Sequence, residues 1–177
     1  MTTSGTTGGM PDAWRHDKRW SDQFLPEIKR ICGEHLISEA PAEEDRSRNT
    51  DLMVLHMEPV RIACRVRRYN YFAAYRNDFT IRAARPEGRR TELAKILAGW
   101  GDYFIYAFAA PEGPKLHAWA LTDLNVFRQW YAREREASGI APGQPHLNRD
   151  GSAGFLAFSW TDLPRGFVVA AGVRNKD

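Results

Sequence analysis

The sequence predicts an α/β fold, a mixed β-sheet flanked by helices, and three observations lead there. An apolar pattern of helical period over residues 19–37 precedes three strand-like segments at 51–57, 60–68 and 78–85. A second helical segment, 91–101, runs straight into an unbroken apolar stretch at 102–109. A strand, a helix and a strand then follow as a C-terminal extension. The order α-β-β-β-α-β plus β-α-β is that of one mixed sheet with helices packed on it. With 177 residues, 43% of them hydrophobic, the chain can bury one sizeable core.

Each element has its own signal. Residues 1–17 open with "MTTSGTTGGMP", which has neither the basic nor the apolar region of a signal peptide. A disordered Gly/Thr-rich tail is expected there, ahead of a single domain over 18–177. The first helix takes Ser21 or Asp22 as its N-cap and places Phe24, Leu25, Ile28, Ile31, Cys32 and Leu36 at helical spacing. Pro26 fits only in a first turn. A polar connector covers 38–50. The strand at 51–57 meets a tight turn at Glu58-Pro59, and "VRIACRVRR" (60–68) returns antiparallel. Its alternation sets Val60, Ile62, Cys64 and Val66 on one face and Arg61, Arg65 and Arg67 on the other.

"RYNYFAAYRN" fits neither period. The strand at 78–85 is stopped by Pro86 and Gly88. Thr91 caps the second helix, with apolar residues at 93, 96, 97 and 100 and a glycine stop. A buried strand (102–109), a turn, a strand (115–124) and an amphipathic helix capped by Asn125 (125–137) follow. A loop spans 139–154 and "FLAFSWTDLP" is the last clear strand; "GFVVAAGVRNKD" is left open as a further one.

The net charge is only +3, but its distribution is uneven. Residues 61–90 hold nine arginines against Asp78 and Glu87, +7 in thirty residues, leaving −4 for the remainder. Such asymmetry suits a phosphate-facing surface, and arginine forks onto anions where lysine does not. The alternative is that these arginines pair with the acids at 42–45 and 134–136. Cys32 and Cys64 lack metal-site spacing and read as small buried side chains of a reducing, cytoplasmic compartment. No apolar run reaches the ~20 residues of a membrane span. The five histidines form no HExxH spacing, and GxSxG, P-loop and Rossmann fingerprints are absent. Tyr69, Tyr71, Phe72 and Tyr75 interleave with Arg68 and Arg76; they either stack on unpaired bases or pack on the sheet.

The α-β-β-β-α-β order, the aspartate of "NTDLMVL" and the charged strand "RIACRVRR" after a short hairpin resemble the PD-(D/E)XK nuclease superfamily over residues 19–109. The resemblance implies a restriction-endonuclease-like core with the arginine strand at its centre. It also implies Mg²⁺-dependent phosphodiester hydrolysis with Asp51 as a metal ligand. The superfamily's Glu-x-Lys falls on Arg65-x-Arg67. Arg67 can stabilise charge but cannot act as a base. Arg65 cannot replace a carboxylate, because a guanidinium repels the metal.

The missing carboxylate is then expected from Glu92 in "TELAKI", with Lys95 one turn on, from Glu34 on the first helix, or from Glu43, Glu44 or Asp45. Glu92 also has a purely structural reading, as an acid at a helix start paired with Lys95. Asp51 has one as a partner of Arg46 or Arg48, and Glu34 one as a solvated acid. The expected set is therefore Asp51, Glu92, Lys95 and Arg67 for catalysis, Asp51, Glu92 and Glu34 for metal, and Arg61, Arg65, Arg67, Arg68, Arg82 and Arg85 for phosphates. Two functions compete: a divergent metal-dependent nuclease, and a phage or bacterial accessory protein that binds nucleic acid or an acidic partner without cutting. A third leaves the arginines structural. DNA ranks ahead of RNA as partner, no membrane role is expected, and the superfamily's habit of pairing suggests a homodimer.

Overall fold

The chain is an α/β protein built on a mixed four-stranded sheet with helices against it. The computed structural model describes residues 12–39, 52–54, 60–84, 90–148 and 153–174. In order these form α1 (Asp12–Asp22), α2 (Leu25–Leu36), β1 (Ile37–Glu39), β2 (Leu52–Val54), β3 (Ile62–Arg67), a 3₁₀ turn (Tyr69–Tyr71) and the one-turn α3 (Phe72–Tyr75). After them come β4 (Asp78–Ala84), α4 (Glu92–Leu97), β5 (Tyr103–Ala109), β6 (Leu116–Asp123), α5 (Leu124–Ser138), β7 (Gln144–Leu147), β8 (Gly154–Ser159) and β9 (Val168–Val173).

The helix expected over 19–37 is two helices. Pro26 lacks an N–H and sits in the first turn of α2, so the chain breaks after Asp22 rather than passing through the proline. Ser21 donates back to the Lys18 carbonyl (2.9 Å) instead of capping α2. Helix α1 begins at Asp12 and so takes in residues 12–17, expected as tail.

The mixed sheet runs β3-β5-β6-β9, with β3 parallel to β5 and the other pairs antiparallel. Two expectations change here. Among the described residues the arginine strand β3 lies at the edge of this sheet rather than its centre, and β2, the described part of the strand expected over 51–57, pairs with β1 and not with β3; Asp51, residues 55–57 and the Glu58-Pro59 turn lie outside the described residues. The long crossover through α3, β4 and α4 provides the connection a parallel neighbour needs. Strand β5, apolar at all seven positions, is thereby covered on both faces, which a hairpin at the sheet edge cannot achieve. The open C-terminal segment supplies β9.

A second, antiparallel sheet, β4-β8-β7, lies across from the first. Strand β7 falls in the stretch expected as loop. All four of its residues are exposed and one is Pro145, so it carries no alternation and pairs through backbone at a sheet edge.

The core has two compartments divided by the mixed sheet. On one face Phe104, Tyr106 and Phe108 of β5 meet Phe79 and Ile81 of β4, Phe158 of β8, Leu93 and Ile96 of α4, and Phe127 of α5. On the other face Ile105, Ala107 and Ala109 meet Phe24, Ile28 and Ile31, with Ile62 and Val66 packed alongside. The α5 cap is Asp123 rather than Asn125: its Oδ1 accepts from the N–H groups of Asn125 (2.7 Å) and Val126 (3.2 Å). Trp100, counted with the apolar stripe of the second helix, falls beyond its end at Leu97 and is 63% exposed.

Candidate functional site

The alternation of β3 decides what its arginines can reach. Ile62 and Val66 point to the α2 compartment, so Arg65 and Arg67 point to the second sheet. Arg65 Nη1 donates to the Thr80 carbonyl (2.9 Å) and its Nη2 pairs with Glu92 Oε2 at 2.5 Å. Arg67 Nη1 donates to Thr80 Oγ1 (2.7 Å) and Tyr106 Oη (3.1 Å), and those two hydroxyls lie 3.0 Å apart. Its guanidinium also lies over the rings of Tyr75 (4.3 Å) and Tyr71 (5.2 Å). Burial lowers the Arg65 pKa from its ordinary value; Glu92 opposes this, and Arg82 and Arg67 add to it by repulsion. The residue remains charged at neutral pH.

Glu92 is the first residue of α4, behind the Thr91 cap that accepts from Ala94 N–H (3.2 Å). Its Oε2 accepts from the Arg82 backbone N–H (3.1 Å) as well as from Arg65. Glu92 therefore joins α4 to both β3 and β4. Its ion pair is with Arg65 and not with Lys95.

Along β3, at the edge of the sheet among the described residues, runs a groove of about 790 Å³. Arg65, Arg67, Arg68, Arg82, Tyr71 and Glu92 line it, and α1 contributes Asp17, Lys18, Trp20 and Asp22. Arg68 lies 4.9 Å over the Trp20 ring. Among the described residues, five cations thus face three carboxylates. Lys18 pairs with Asp22 (2.8 Å) and Arg65 with Glu92, which leaves Arg67, Arg68 and Arg82 against Asp17. A neighbouring cavity of about 400 Å³ shares Arg65, Arg82 and Glu92 and adds Arg61, Arg90, Lys95 and Trp100, so the basic track continues past α4.

Of the residues singled out from sequence, Arg61, Arg65, Arg67, Arg68, Arg82, Glu92 and Lys95 all line this track. Asp51, Arg85, Glu43, Glu44 and Asp45 lie outside the described residues. Glu34 pairs with Arg30 (2.7 Å) on the exposed side of α2 and lines neither cavity. Trp20, Thr80 and Tyr106 are additions of the structure, whereas Arg90 belongs to the nine arginines of 61–90. The signals for two of them were slight: a hydroxyl in the otherwise apolar "FTI" and another in "FIYAF".

A hard divalent cation asks for several oxygen ligands, usually carboxylates and waters. Among the described residues the groove offers three carboxylates: Glu92, engaged by Arg65 and the Arg82 N–H, Asp22, paired with Lys18, and Asp17. Among the described residues no three His, Cys, Asp or Glu side chains converge in a way that could hold a metal. The described lining, with more cations than carboxylates, has the chemistry of an anion site; Asp51, the metal ligand that the resemblance implies, lies outside the described residues. Among the described residues no helix is long and apolar enough to cross a membrane. Comparison with protein-family models, with curated proteins and with solved structures finds no match.

Proposed function

We propose that this chain binds nucleic acid in the cytoplasm, gripping phosphates along the β3 groove, with DNA the first candidate and without a metal-dependent step of its own. The observation that carries it is the surplus of guanidinium groups over carboxylates in the groove once the two ion pairs are set aside. Arginine presents a planar fork that matches a phosphate's oxygens. Trp20 and Tyr71 stand among those arginines, and Tyr71 is 45% exposed, so an unpaired base has rings on which to stack. That combination favours single-stranded over duplex nucleic acid.

The test is fluorescence anisotropy of labelled single-stranded and duplex DNA against salt concentration. Neutralising about four phosphates gives a slope of about −3 in log K against log salt for a single strand. Arg68→Gln and Arg82→Gln each reduce that slope by about 0.7. Binding that is absent, or indifferent to salt, overturns the proposal. Cleavage that needs Mg²⁺, stops with EDTA and is lost in Glu92→Gln would instead make the groove a hydrolytic site.

A further inference from the structure

The one-turn α3 has two working faces. Tyr71 and Tyr75 lie toward Arg67, on the groove side. Phe72 and Arg76, each one position further on, line a separate cleft of about 420 Å³. That size lies within the range of small-molecule sites, roughly 300–1,000 Å³. Phe72, Trp119 and Trp160 present part of their rings to the cleft, Tyr106 and Phe108 lie buried behind them, and β9 closes it with small and branched side chains. The rings are set edge to face, Phe72 against Phe108 at 5.2 Å and Tyr106 against Trp160 at 6.0 Å. Two polar side chains, Arg76 and Asn77, complete the lining, and among the described residues neither has a side-chain partner.

We propose that this cleft binds a nucleotide, with the base against the aromatic wall, Asn77 at the base edge and Arg76 on the phosphate. Each part matches one feature of the lining. A flat ring covers aromatic surface that a sugar or a simple carboxylate would leave wet. An asparagine amide donates and accepts at once, as base edges do. An unpaired arginine at an apolar cleft supplies the fork for a phosphate. Val168 and Val173 of β9 are 41% and 65% exposed, giving a base or sugar apolar area to cover. Tyr106 joins the two sites: its ring lies behind the cleft's aromatic wall, and its hydroxyl meets Arg67 of the groove.

The nucleotide has two sources, a free mononucleotide or one unstacked base of a strand held in the groove. The second rests on the nucleic-acid reading of that groove. The experiment titrates adenosine monophosphate by calorimetry and a short labelled DNA strand by anisotropy. It compares the parent with Ala171→Phe and Arg76→Gln at the cleft and with Arg68→Gln in the groove. Ala171 is an exposed strand residue lining the cleft, so phenylalanine there fills the space from outside.

The mononucleotide should bind the parent, weaken by about tenfold or more in both cleft variants, and bind Arg68→Gln as it binds the parent. Strand affinity falling in the same two variants makes the strand the source; strand affinity unchanged makes it the free nucleotide. No mononucleotide binding to the parent, or binding that survives both cleft variants, overturns the assignment. Cleft-dependent mononucleotide binding with no strand binding at all overturns the groove reading and leaves the cleft assignment standing. Should Ala171→Phe melt below the parent, Arg76→Gln decides, since Arg76 is exposed and outside the core.

Discussion

Replacing Glu92 with glutamine sets two effects against each other, and their signs differ. The carboxylate holds the Arg65 guanidinium at 2.5 Å and accepts from the Arg82 N–H at 3.1 Å. The two side chains of the ion pair are 20% and 26% exposed. An exposed pair is worth about 0–1 kcal/mol, whereas removing one partner of a fully buried pair costs about 3–5 kcal/mol. The amide keeps an acceptor for the Arg82 N–H, so the loss falls on the charge. Arg65 is left beside Arg67 and Arg82 without its counter-ion. The expected destabilisation is about 2 kcal/mol, a fall in Tm of about 4–8 °C for a chain of this size.

The same substitution removes a negative charge from the groove. At contact distance in water that is worth about 1 kcal/mol, roughly fivefold in affinity for a phosphate chain at low salt. Added DNA should also restore part of the lost Tm, provided it binds the folded groove more tightly than the unfolded chain. Calorimetry and anisotropy on one preparation read both quantities. A variant that melts like the parent and binds DNA more weakly refutes the reasoning, since Glu92 would then contribute to the ligand rather than hold Arg65.

Three further outcomes are expected. Arg67→Lys keeps the charge but loses the fork that reaches Thr80 and Tyr106, and should cost about 1–2 kcal/mol in urea denaturation with little change in the salt slope of DNA binding; unchanged stability would mean the fork adds nothing. Burial, with the Cys32 thiol adding, pushes the Cys64 thiol from 9.0 up to about 11, although part of the residue is exposed. Alkylation of Cys64 by iodoacetamide at pH 8 should therefore run about 100-fold slower in the folded than in the unfolded chain. Because the folded state holds the proton longer, the stabilisation from this group is complete below pH 9.0 and is lost as pH rises through about 11; an unchanged alkaline limb in Cys64→Ala contradicts it. Gly143 has a φ of +101°, and an added Cβ would lie 2.6 Å from the Phe158 ring. Gly143→Ala should cost about 2–3 kcal/mol, checked by the midpoint of chemical denaturation.

What could be read from the sequence was local or one-dimensional. Strand β5 announced itself as buried on both faces by seven apolar residues in a row, and Thr91 as a helix cap by its position before the apolar stripe. The two faces of β3 were legible from alternation, and the arginines on one of them do line the groove. What lies opposite that face was not legible, because Thr80 and Tyr106 come from strands in two different sheets. The pairing of β2 with β1 was not legible either, because β1 (Ile37–Glu39) is three residues long and falls where the first helix was expected to end and the polar connector to begin. Trp20 reaches the groove through the α1–α2 break, a tertiary arrangement that Pro26 permits without specifying.

The parallel neighbours β3 and β5 also set when the groove can exist. Arg61 N–H donates to the Asp102 carboxylate at 2.7 Å across forty-one residues of chain, and β3 pairs with β5 over the same separation. Sheets joined over such separations fold slowly, since loop entropy is lost before the ladder forms. Until then the segment 61–90 is a loose string of +7 with no fixed partners. On the proposed function, nucleic acid would meet this chain in two roles, stabilising the finished groove and trapping the unpaired arginines before it forms. Stopped-flow refolding should slow as single-stranded DNA is added, at the same concentrations that raise the Tm of the native protein; refolding that speeds up would show the arginines finding their places first.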